Sequence, residues 1–421
     1  RSVEVTYAGQ KFSLELKYEN RFHYLPIKNH TEFSKLSIHS KDSLLAVGKP
    51  IHRHKVSKQV GPKLIVHIFV DALSKVLIDS FSGELMPETN AFFASGMNFN
   101  NAYSQADWTL SSIAGVFSGK YTKDHLVYHP RNGKKIEDKV LAEVLDNNGY
   151  LTSSISSIPK LTPLNGFDRG FSRCVVAPFK TADFIINEAI EQLEAFGGAQ
   201  YIFLGLFDAH EAHKLQPLSS QLSNDLSNFK FKTNPVQERL YKNYDKERIA
   251  MCSNTYRHLD SKLGMLYRTI EEYDKDALVI LHSDHGVDFI TENNFRLANA
   301  RQKVVLKIKG GDINPSTVQS VAEIRAIPNL VLKAANIEDE MACGLSEFVK
   351  TESIYPNQEY ELALRDDCYV LFFQVPWSEL KERRLKDYQF SAKLCSVDNE
   401  AEQPDNVDQF QTMLNAARAH Y

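Results

Sequence analysis

The chain has 421 residues, 43% of them hydrophobic, which is enough for a large buried core. Its 49 basic and 53 acidic side chains give a net charge of -4, so no global field attracts nucleic acid or an anionic membrane, and we expect no polynucleotide partner. No apolar run reaches the roughly 20 residues of a transmembrane helix, and the N-terminus lacks the apolar core of a signal peptide.

Cysteine usage bears on the cellular compartment. The chain has five widely spread cysteines and no CxxC pair: Cys174, Cys252, Cys343, Cys368 and Cys395. This pattern predicts neither a disulfide framework nor a zinc ribbon and favours a reducing, cytoplasmic location. Because the sequence starts with Arg1, removal of a leader or membrane segment would instead imply a periplasmic or other extracytoplasmic location.

The first predicted elements lie in a polar N-terminal region, residues 1–60. The segments Val3–Tyr7 and Phe12–Tyr18 alternate apolar and polar residues on either side of Ala8-Gly9-Gln10. This pattern predicts a β-hairpin. We expect the region to form a small β appendage to the main domain.

Predicted strands and helices then alternate from Lys63 to about Ile308, as in a mostly parallel sheet with helices on both faces. Apolar periodicity predicts helices over Ile136–Asn148 and Thr181–Phe196, each followed by glycine. A strand, Tyr201–Phe207, follows the second helix. The sequence therefore predicts an α/β core over residues 61–310, completed by a C-terminal α+β extension over residues 311–421.

Two predicted strands of this core end in residues of the kind that bind metals. Lys63–Val70 is followed by Asp71, and Ala277–His282 is followed, after one serine, by Asp284 and His285. Ligands collect at the carboxyl ends of strands in open α/β sheets, so these three side chains are expected to converge. Their oxygen and nitrogen atoms suit Zn, Mn, Mg or Ca without choosing among them.

A third strand end carries Asp208, His210 and His213. Asp208 and His213 are candidates for a second metal or for holding the charged oxygens of a substrate; the alternative is a polar cluster facing water. A two-metal site needs a further set of ligands, and no full set is identified, so we expect a single divalent ion.

Five segments in order resemble the sulfatase branch of the alkaline phosphatase superfamily, over about residues 60–310. They are Lys63–Leu73, Leu141–Tyr150 with its terminal Gly-Tyr, Gly166-Phe-Asp168, the Tyr256-x-x-x-Asp260-x-x-x-Gly264 helix, and Ser283–Gly286. The resemblance implies an alkaline phosphatase/sulfatase-like fold and a divalent metal held by Asp71, Asp284 and His285. It also implies that His210 binds substrate.

The chain departs from the sulfatase pattern at the nucleophile. Sulfatases carry a Cys or Ser, later oxidised to formylglycine, in a Cys-x-Pro-Ser-Arg segment whose tenth following residue is the Gly of a Thr-Gly pair. Here Thr109–Gly119 keeps the spacing, but Thr109 replaces the Cys, Ser111 the Pro and Ile113 the Arg. Thr cannot become formylglycine. It is the nucleophile in phosphoethanolamine and phosphoglycerol transferases, which this segment is also similar to.

Thr109 is therefore predicted to be both a metal ligand and the nucleophile. A hydroxyl has too high a pKa to attack at neutral pH unless a divalent cation activates it. Thr109 also opens a predicted helix, whose N-terminus offers donors to an anionic ester. The alternatives are that Thr109 is only an N-cap, or that Ser111 or Ser112 is the nucleophile.

Three cations are candidates to neutralise the ester in place of the arginine missing at Ile113: Lys120, Arg296 and Arg301. Lys120 follows Gly119, and the two arginines precede the strand Val304–Ile308. Cations of this kind are otherwise simply solvated.

The combined prediction is a metal-dependent phosphotransferase or phosphoesterase that acts on a phosphate ester or diester through Thr109. Its substrate is a small molecule, a glycan or a lipid, and a role in modifying polysaccharides or lipids rests on family analogy alone. One alternative is a sulfuric ester hydrolase that works without formylglycine on a sulfated substrate. The other is a catalytically degenerate binding module of the same fold, which the lost Arg and Pro near Thr109 favour.

Overall fold

The computed structural model describes most of the chain. The described residues are 2–7, 10–15, 23–25, 35–40, 47–48, 51, 61–129, 133–210, 246–290, 296–341, 347–354, 360–375 and 390–421.

The strands are β1 (Ser2–Tyr7), β2 (Gln10–Glu15), β3 (Leu36–His39), β4 (Leu64–Val70), β5 (Met97–Phe99), β6 (Ala102–Tyr103), β7 (Leu151–Ser156), β8 (Arg173–Val176), β9 (Gln200–Leu206), β10 (Leu278–His282), β11 (Lys303–Val304), β12 (Leu306–Lys309), β13 (Ser316–Val318), β14 (Ala322–Glu323), β15 (Val349–Ile354), β16 (Tyr360–Arg365), β17 (Tyr369–Val375) and β18 (Ser391–Ser396). The α-helices are α1 (Lys75–Ser80), α2 (Pro87–Phe92), α3 (Thr109–Ser118), α4 (Thr122–His125), α5 (Leu141–Asn147), α6 (Ala182–Ala195), α7 (Lys246–Tyr273), α8 (Asn299–Gln302), α9 (Ile327–Ala334) and α10 (Val407–His420). Short 3-10 helices cover Phe93–Ser95, Pro163–Asn165 and Ile324–Ala326.

An eight-stranded sheet forms the centre, in the order β13-β5-β12-β10-β4-β9-β7-β8. The strands from β10 to β8 are parallel, whereas β12 is antiparallel to both of its neighbours. Every residue of β4 and β9 is buried, because helices cover both faces of the sheet, and this burial explains their nearly unbroken apolar sequences. The predicted fold class is confirmed.

Side chains of β4 alternate between two cores, one on each face of the sheet. Leu64, Val66 and Ile68 pack with residues of α6 and α7. Ile65 and Phe69 point the other way and pack with residues of α3 and α5. The core is therefore three-layered, and the carboxyl ends of the parallel strands open at one edge.

Two antiparallel sheets flank the core. β1 and β2 form the predicted hairpin, with Val5 opposite Phe12, and β3 pairs with the other side of β1. Near the C-terminus, β15 to β18 pair in chain order, and α10 packs on them. β13 lies beyond residue 310 yet joins the edge of the central sheet; the limits 1–60, 61–310 and 311–421 stay a prediction.

The C-terminal sheet braces the segment before α3. Glu352 N donates to Gln105 O at 2.9 Å, and Thr351 Oγ1 donates to Ser104 O at 2.6 Å. Ser353 Oγ donates to Asp107 Oδ2 at 2.8 Å. Three consecutive residues of β15 thus hold the backbone and side chains that lead into Thr109.

Cys174, Cys252, Cys368 and Cys395 are free thiols, whereas Cys343 lies outside the described residues. Within the described ranges, every helix is too short or too polar to span a bilayer.

Two buried histidines lie side by side in the core. The ring centroids of His67 and His282 are 4.9 Å apart, and Tyr201 OH lies 3.0 Å from His67 Nδ1. Burial lowers the pKa of His282 to about 4. Burial, and then the neighbouring His282, hold the pKa of His67 well below its ordinary value. Both rings are therefore neutral at pH 7.

We expect acid to destabilise the fold through this pair, and His67→Gln to reduce that sensitivity. Unfolded histidines take up protons below about pH 6.5, whereas the folded His282 stays neutral down to about pH 4. The free energy of unfolding is therefore greatest above about pH 6.5 and falls as the pH decreases. His282 alone contributes about 3 kcal/mol of this loss. Denaturant unfolding between pH 7.5 and 4.5 measures it; identical pH profiles for the wild type and His67→Gln would contradict the role of His67.

Candidate metal centre

Neighbouring parallel strands bring the predicted acidic residues together. β4 and β10 are adjacent, with Phe69 opposite His282, so Asp71 and Asp284 leave the sheet at the same edge. Both carboxylates are almost completely buried, at 1% and 0% exposure. The predicted convergence therefore follows from strand register.

Thr109 reaches the same point from α3. Its Oγ1 lies 3.4 and 3.5 Å from the two carboxylate oxygens of Asp71 and 3.4 Å from His285 Nε2. The residue before α3 is Trp108, whose side chain makes no capping hydrogen bond, and Thr109 is the first helical residue. The Thr109 hydroxyl thus faces the carboxylate and the imidazole.

Asp284 has one anchored oxygen and one unused oxygen. Its Oδ1 accepts hydrogen bonds from Ala72 N at 3.0 Å and His285 N at 2.9 Å. Its Oδ2 is buried, lies 3.3 Å from His285 Nε2, and has no hydrogen-bond partner among the described residues. A buried carboxylate oxygen left in this state is costly unless a cation compensates it.

The two histidines present ring nitrogens to Asp71. His285 Nδ1 lies 2.9 Å from Gly286 O and must donate to that carbonyl, which leaves Nε2 as the lone-pair nitrogen. His285 Nε2 and His210 Nε2 lie 3.8 and 4.0 Å from Asp71 Oδ1. Each of the three residues offers a ligand atom within 4.8 Å of the others.

The burial and the charges of the site favour a bound cation. Burial, and then the charge of Asp284, hold the pKa of Asp71 well above its ordinary value. Burial also raises the pKa of Asp284. Burial holds the pKa of His285 well below its ordinary value, so its Nε2 is available as a ligand.

The residues present fit a divalent metal ion. A tetrahedral metal with bonds of about 2.0–2.2 Å would hold its ligand atoms about 3.3–3.6 Å apart, close to the 3.3–3.8 Å separations among Asp71, Thr109, Asp284 and His285. Two carboxylates, a hydroxyl and an imidazole form a mixed oxygen and nitrogen set suited to Zn, Mn, Mg or Ca. His210 borders this set and is the most exposed of the five, at 29%.

The turn after β4 is built to aim Asp71 and Ala72 N at the site. Ala72 has a φ of +59°, in the left-handed region that non-glycine residues rarely adopt. Tyr256 OH bridges this turn, since it donates to Ala72 O at 3.1 Å and accepts from Ser74 N at 2.9 Å. The first residue of the Tyr-x-x-x-Asp-x-x-x-Gly pattern therefore supports the metal-binding turn.

The rest of that pattern fixes α7 against α2. Asp260 accepts hydrogen bonds from Glu88 N and Thr89 N, two of the donors left open at the N-terminus of α2. A Cβ on Gly264 would come within 2.7 Å of the Glu88 carboxylate, so Gly264 leaves room for the Glu88 side chain to lie against α7.

Asp208 is one of the two candidates for a second metal or for binding the substrate. Its Oδ1 accepts a hydrogen bond from Ala182 N at 3.0 Å, at the start of α6, and burial raises its pKa to about 6. His213 lies outside the described residues. A role for either residue at a second metal stays a prediction.

Only one of the three predicted cations lies next to the candidate metal centre. Lys120 pairs with Asp138 and is half exposed. Arg296 turns to the C-terminal sheet, where it donates to Ser353 Oγ at 3.1 Å. Arg301 instead borders the site: its Nε donates to Asp107 O at 3.0 Å, and its charge acts on Asp71 and His285.

A further cation, Lys160, was missed by the sequence analysis. Its Nζ lies 4.5 Å from the centre of the Trp108 ring, directly before Thr109. Its charge lowers the pKa of Asp71 and of His285, as the charge of Arg301 also does. Lys160 lies in the loop after β7, among apolar and polar residues. Only the position of that loop next to α3 in the folded protein reveals that this lysine borders the site.

A family model described as Sulfatase matches residues 63–304, more than half of the chain. The chain belongs to the sulfatase family. The matched residues include every side chain of the candidate metal centre, and members with this fold generally bind a divalent metal. No curated protein sequence matches the chain.

Several solved structures with the sulfatase fold align with most of this chain. A 2-O GAG sulfatase is 12% identical, with a TM-score of 0.61 over 85% of this chain and 90% of its own. A protein solved with its substrate D-glucosamine-2-N,6-O-disulfate is 11% identical, with a TM-score of 0.62 over 86% and 97%. An alkaline phosphatase superfamily protein from Vibrio parahaemolyticus is 16% identical, with a TM-score of 0.59 over 86% of each chain.

We expect the sulfatase-family centre to hold one divalent ion that Asp284→Asn loses. The variant keeps the shape of the side chain but removes its charge, and loss of a ligand should weaken binding by at least ~100-fold. Elemental analysis after incubation with Zn, Mn, Mg and Ca, followed by gel filtration, measures the bound ion.

Asp208→Asn is the matched control, because it neutralises another buried carboxylate in the same region without touching the four expected ligands. It should retain the full metal content. Equal metal content in Asp284→Asn and the wild type would place the ion elsewhere, and a partial loss in Asp208→Asn would support a second ion.

Proposed function

We propose that this sulfatase-family protein is a metal-dependent esterase that attacks a phosphate ester or diester through Thr109. The observation that carries the proposal is the Thr109 hydroxyl, placed between Asp71 and His285 at the first turn of α3. Thr cannot be oxidised to formylglycine, so a hydroxyl that attacks directly is the chemistry left to this position. Direct attack by Thr suits phosphoryl transfer.

A divalent ion, when bound, lowers the pKa of a coordinated hydroxyl and attracts the ester oxygens. Asp71, Asp284 and His285 would hold that ion. The backbone N–H groups of the first turn of α3 face the ester, because a helix N-terminus carries unpaired donors. We assign to His210, at the exposed side of the set, the role of binding the substrate.

The first step forms one bond and breaks another. Thr109 Oγ1 attacks phosphorus and loses its proton to solvent or to a base of the site. The bond from phosphorus to the leaving oxygen breaks, and the leaving oxygen takes up a proton from solvent and departs as the alcohol. A phosphothreonine remains. Water or an acceptor hydroxyl then attacks the same phosphorus, and Thr109 recovers its proton as the second bond breaks. Water gives hydrolysis and an acceptor hydroxyl gives transfer.

Lys160 and Arg301 are our proposed replacements for the missing arginine at Ile113. Both act electrostatically on Asp71 and His285; Lys160 approaches from the loop after β7 and Arg301 from α8. Lys160 lies over Trp108, and Arg301 holds Asp107 O, so the two cations flank the residues that precede the nucleophile. Cations fixed beside a developing anionic charge favour the transition state.

A sulfuric ester is the second candidate substrate, and the comparisons favour it over a phosphate ester. The family model is that of sulfatases, and the named neighbours include a 2-O GAG sulfatase and a protein whose substrate is a sulfated glucosamine. In this case the Thr109 hydroxyl attacks sulfur directly, without the formylglycine that ordinary sulfatases use. Under either candidate, a glycan is the substrate class that these neighbours support best.

We expect Thr109→Ala to lower kcat by at least ~1000-fold on the ester that the wild type cleaves, while Thr109→Ser retains measurable turnover. The alanine removes the attacking oxygen, whereas serine keeps it and loses only a methyl group. The assay compares matched aryl phosphate monoesters, phosphodiesters and sulfate esters, and mass spectrometry verifies that the serine introduced by Thr109→Ser remains unmodified.

Exclusive turnover of the sulfate ester would overturn the phosphoryl proposal in favour of the second candidate. Full activity in Thr109→Ala would transfer the nucleophile to Ser111 or Ser112. A metal-loaded wild type without turnover on any ester would support a binding module.

Lys160→Gln should lower kcat/KM by about 10–100-fold without changing metal content, because it removes a cation next to the ester but no metal ligand. Lys120→Gln is the control, since Lys120 pairs with Asp138 and should leave kcat/KM unchanged. Steady-state kinetics together with elemental analysis distinguish the two. Equal effects of both variants would argue against a specific role for Lys160.

A further inference from the structure

An exposed aromatic side chain stands at the rim of the metal centre. Phe179, in the loop between β8 and α6, is 59% exposed, although large apolar side chains are usually buried. Its φ of +63° lies in the left-handed region, which a bulky residue rarely adopts. Backbone conformations of this kind cluster at binding and catalytic sites.

A chain of ring contacts joins Phe179 to the metal ligands. The Phe179 ring meets Phe207 edge to face, with centroids 5.4 Å apart. Phe207 in turn stacks on His210 at 4.8 Å and 20°. His210 Nε2 lies 4.0 Å from Asp71 Oδ1. Phe179 is thus two ring contacts away from the most exposed residue of the centre.

One residue at the end of β7 holds both phenylalanines in place. Ser157 O accepts a hydrogen bond from Phe179 N at 2.9 Å, and Ser157 Oγ accepts one from Phe207 N at 3.0 Å. The Ser157 hydroxyl also donates to Gly205 O at 3.2 Å. The exposed ring is therefore carried on a fixed backbone next to the strand ends.

We propose that Phe179, supported by Phe207, is the binding site for the alcohol part of the substrate and takes a six-membered ring with an apolar face. Such a face stacks on an exposed aromatic ring, while the anionic ester linked to it reaches past His210 to Thr109. A pyranose and an aryl group share this chemistry. The inference rests on the proposed esterase function and names the organic group that the function leaves open.

Phe179→Asn tests the site, because Asn tolerates a positive φ and removes the ring. Turnover is measured on a pyranosyl, an aryl and a glycerol monoester that carry whichever acid group the wild type cleaves. We expect kcat/KM to fall about tenfold on the ring esters, through KM, and to stay unchanged on the glycerol ester. The ring ester that loses more distinguishes a sugar from an aryl group.

Two further variants and a stability measurement serve as controls. Phe179→Trp keeps an aromatic face and should retain kcat/KM on the ring esters. Met265→Ala removes a side chain that is 51% exposed on α7 and should change none of the three substrates. The Tm of Phe179→Asn should be no lower than that of the wild type, since a strained phenylalanine is removed.

Equal losses on the glycerol ester and the ring esters, or no loss on either ring ester, would overturn the proposal. A wild type that cleaves none of the esters contradicts the esterase function instead. Saturation-transfer NMR with the three corresponding phosphonates then tests the ring site by itself. Contact with the ring phosphonates that disappears in Phe179→Asn supports it, and contact that is unchanged overturns it.

Discussion

Two carboxylates, Asp71 and Asp284, are buried next to each other, and this arrangement is the constraint on which the site depends. Burial raises the pKa of both carboxyl groups, and the charge of Asp284 raises the pKa of Asp71 further. A divalent cation offsets both effects. The unused Oδ2 of Asp284, the lone-pair nitrogen of His285 and the Thr109 hydroxyl all face the place where such an ion restores the balance.

Much of the surrounding structure keeps these ligands in position. Tyr256 holds the turn that carries Asp71, and β15 holds residues 104–107 ahead of Thr109. Glu352 joins this support to the C-terminus, because its Oε1 lies 3.0 Å from His420 Nε2 and accepts from Tyr360 OH at 2.9 Å. The C-terminal sheet therefore contributes to the site through the residues that it braces, at a distance from the metal.

The sulfatase fold here is combined with Thr109 at the position that resembles the Cys or Ser site of ordinary sulfatases. Fold and family support a sulfuric ester, whereas the chemistry of Thr109 supports a phosphate ester. Lys160 and Arg301 flank the segment before Thr109. Ile113 stands where the family pattern has its arginine. Under the proposed function, one anionic ester between the candidate metal ligands and these cations would account for both sets of observations.

The sequence alone determined the α/β fold and the meeting of Asp71, Asp284 and His285, because strand periodicity and a strand end are local patterns, and parallel strands bring their carboxyl ends to one edge. The resemblance to the sulfatase segment, whose spacing to Gly119 the chain keeps, identifies Thr109. Only the tertiary structure decided which cations border the site: Lys160 and Arg301 do, whereas Arg296 turns to β15. The paths of loops depend on packing between distant segments, and neither periodicity nor spacing along the chain encodes them.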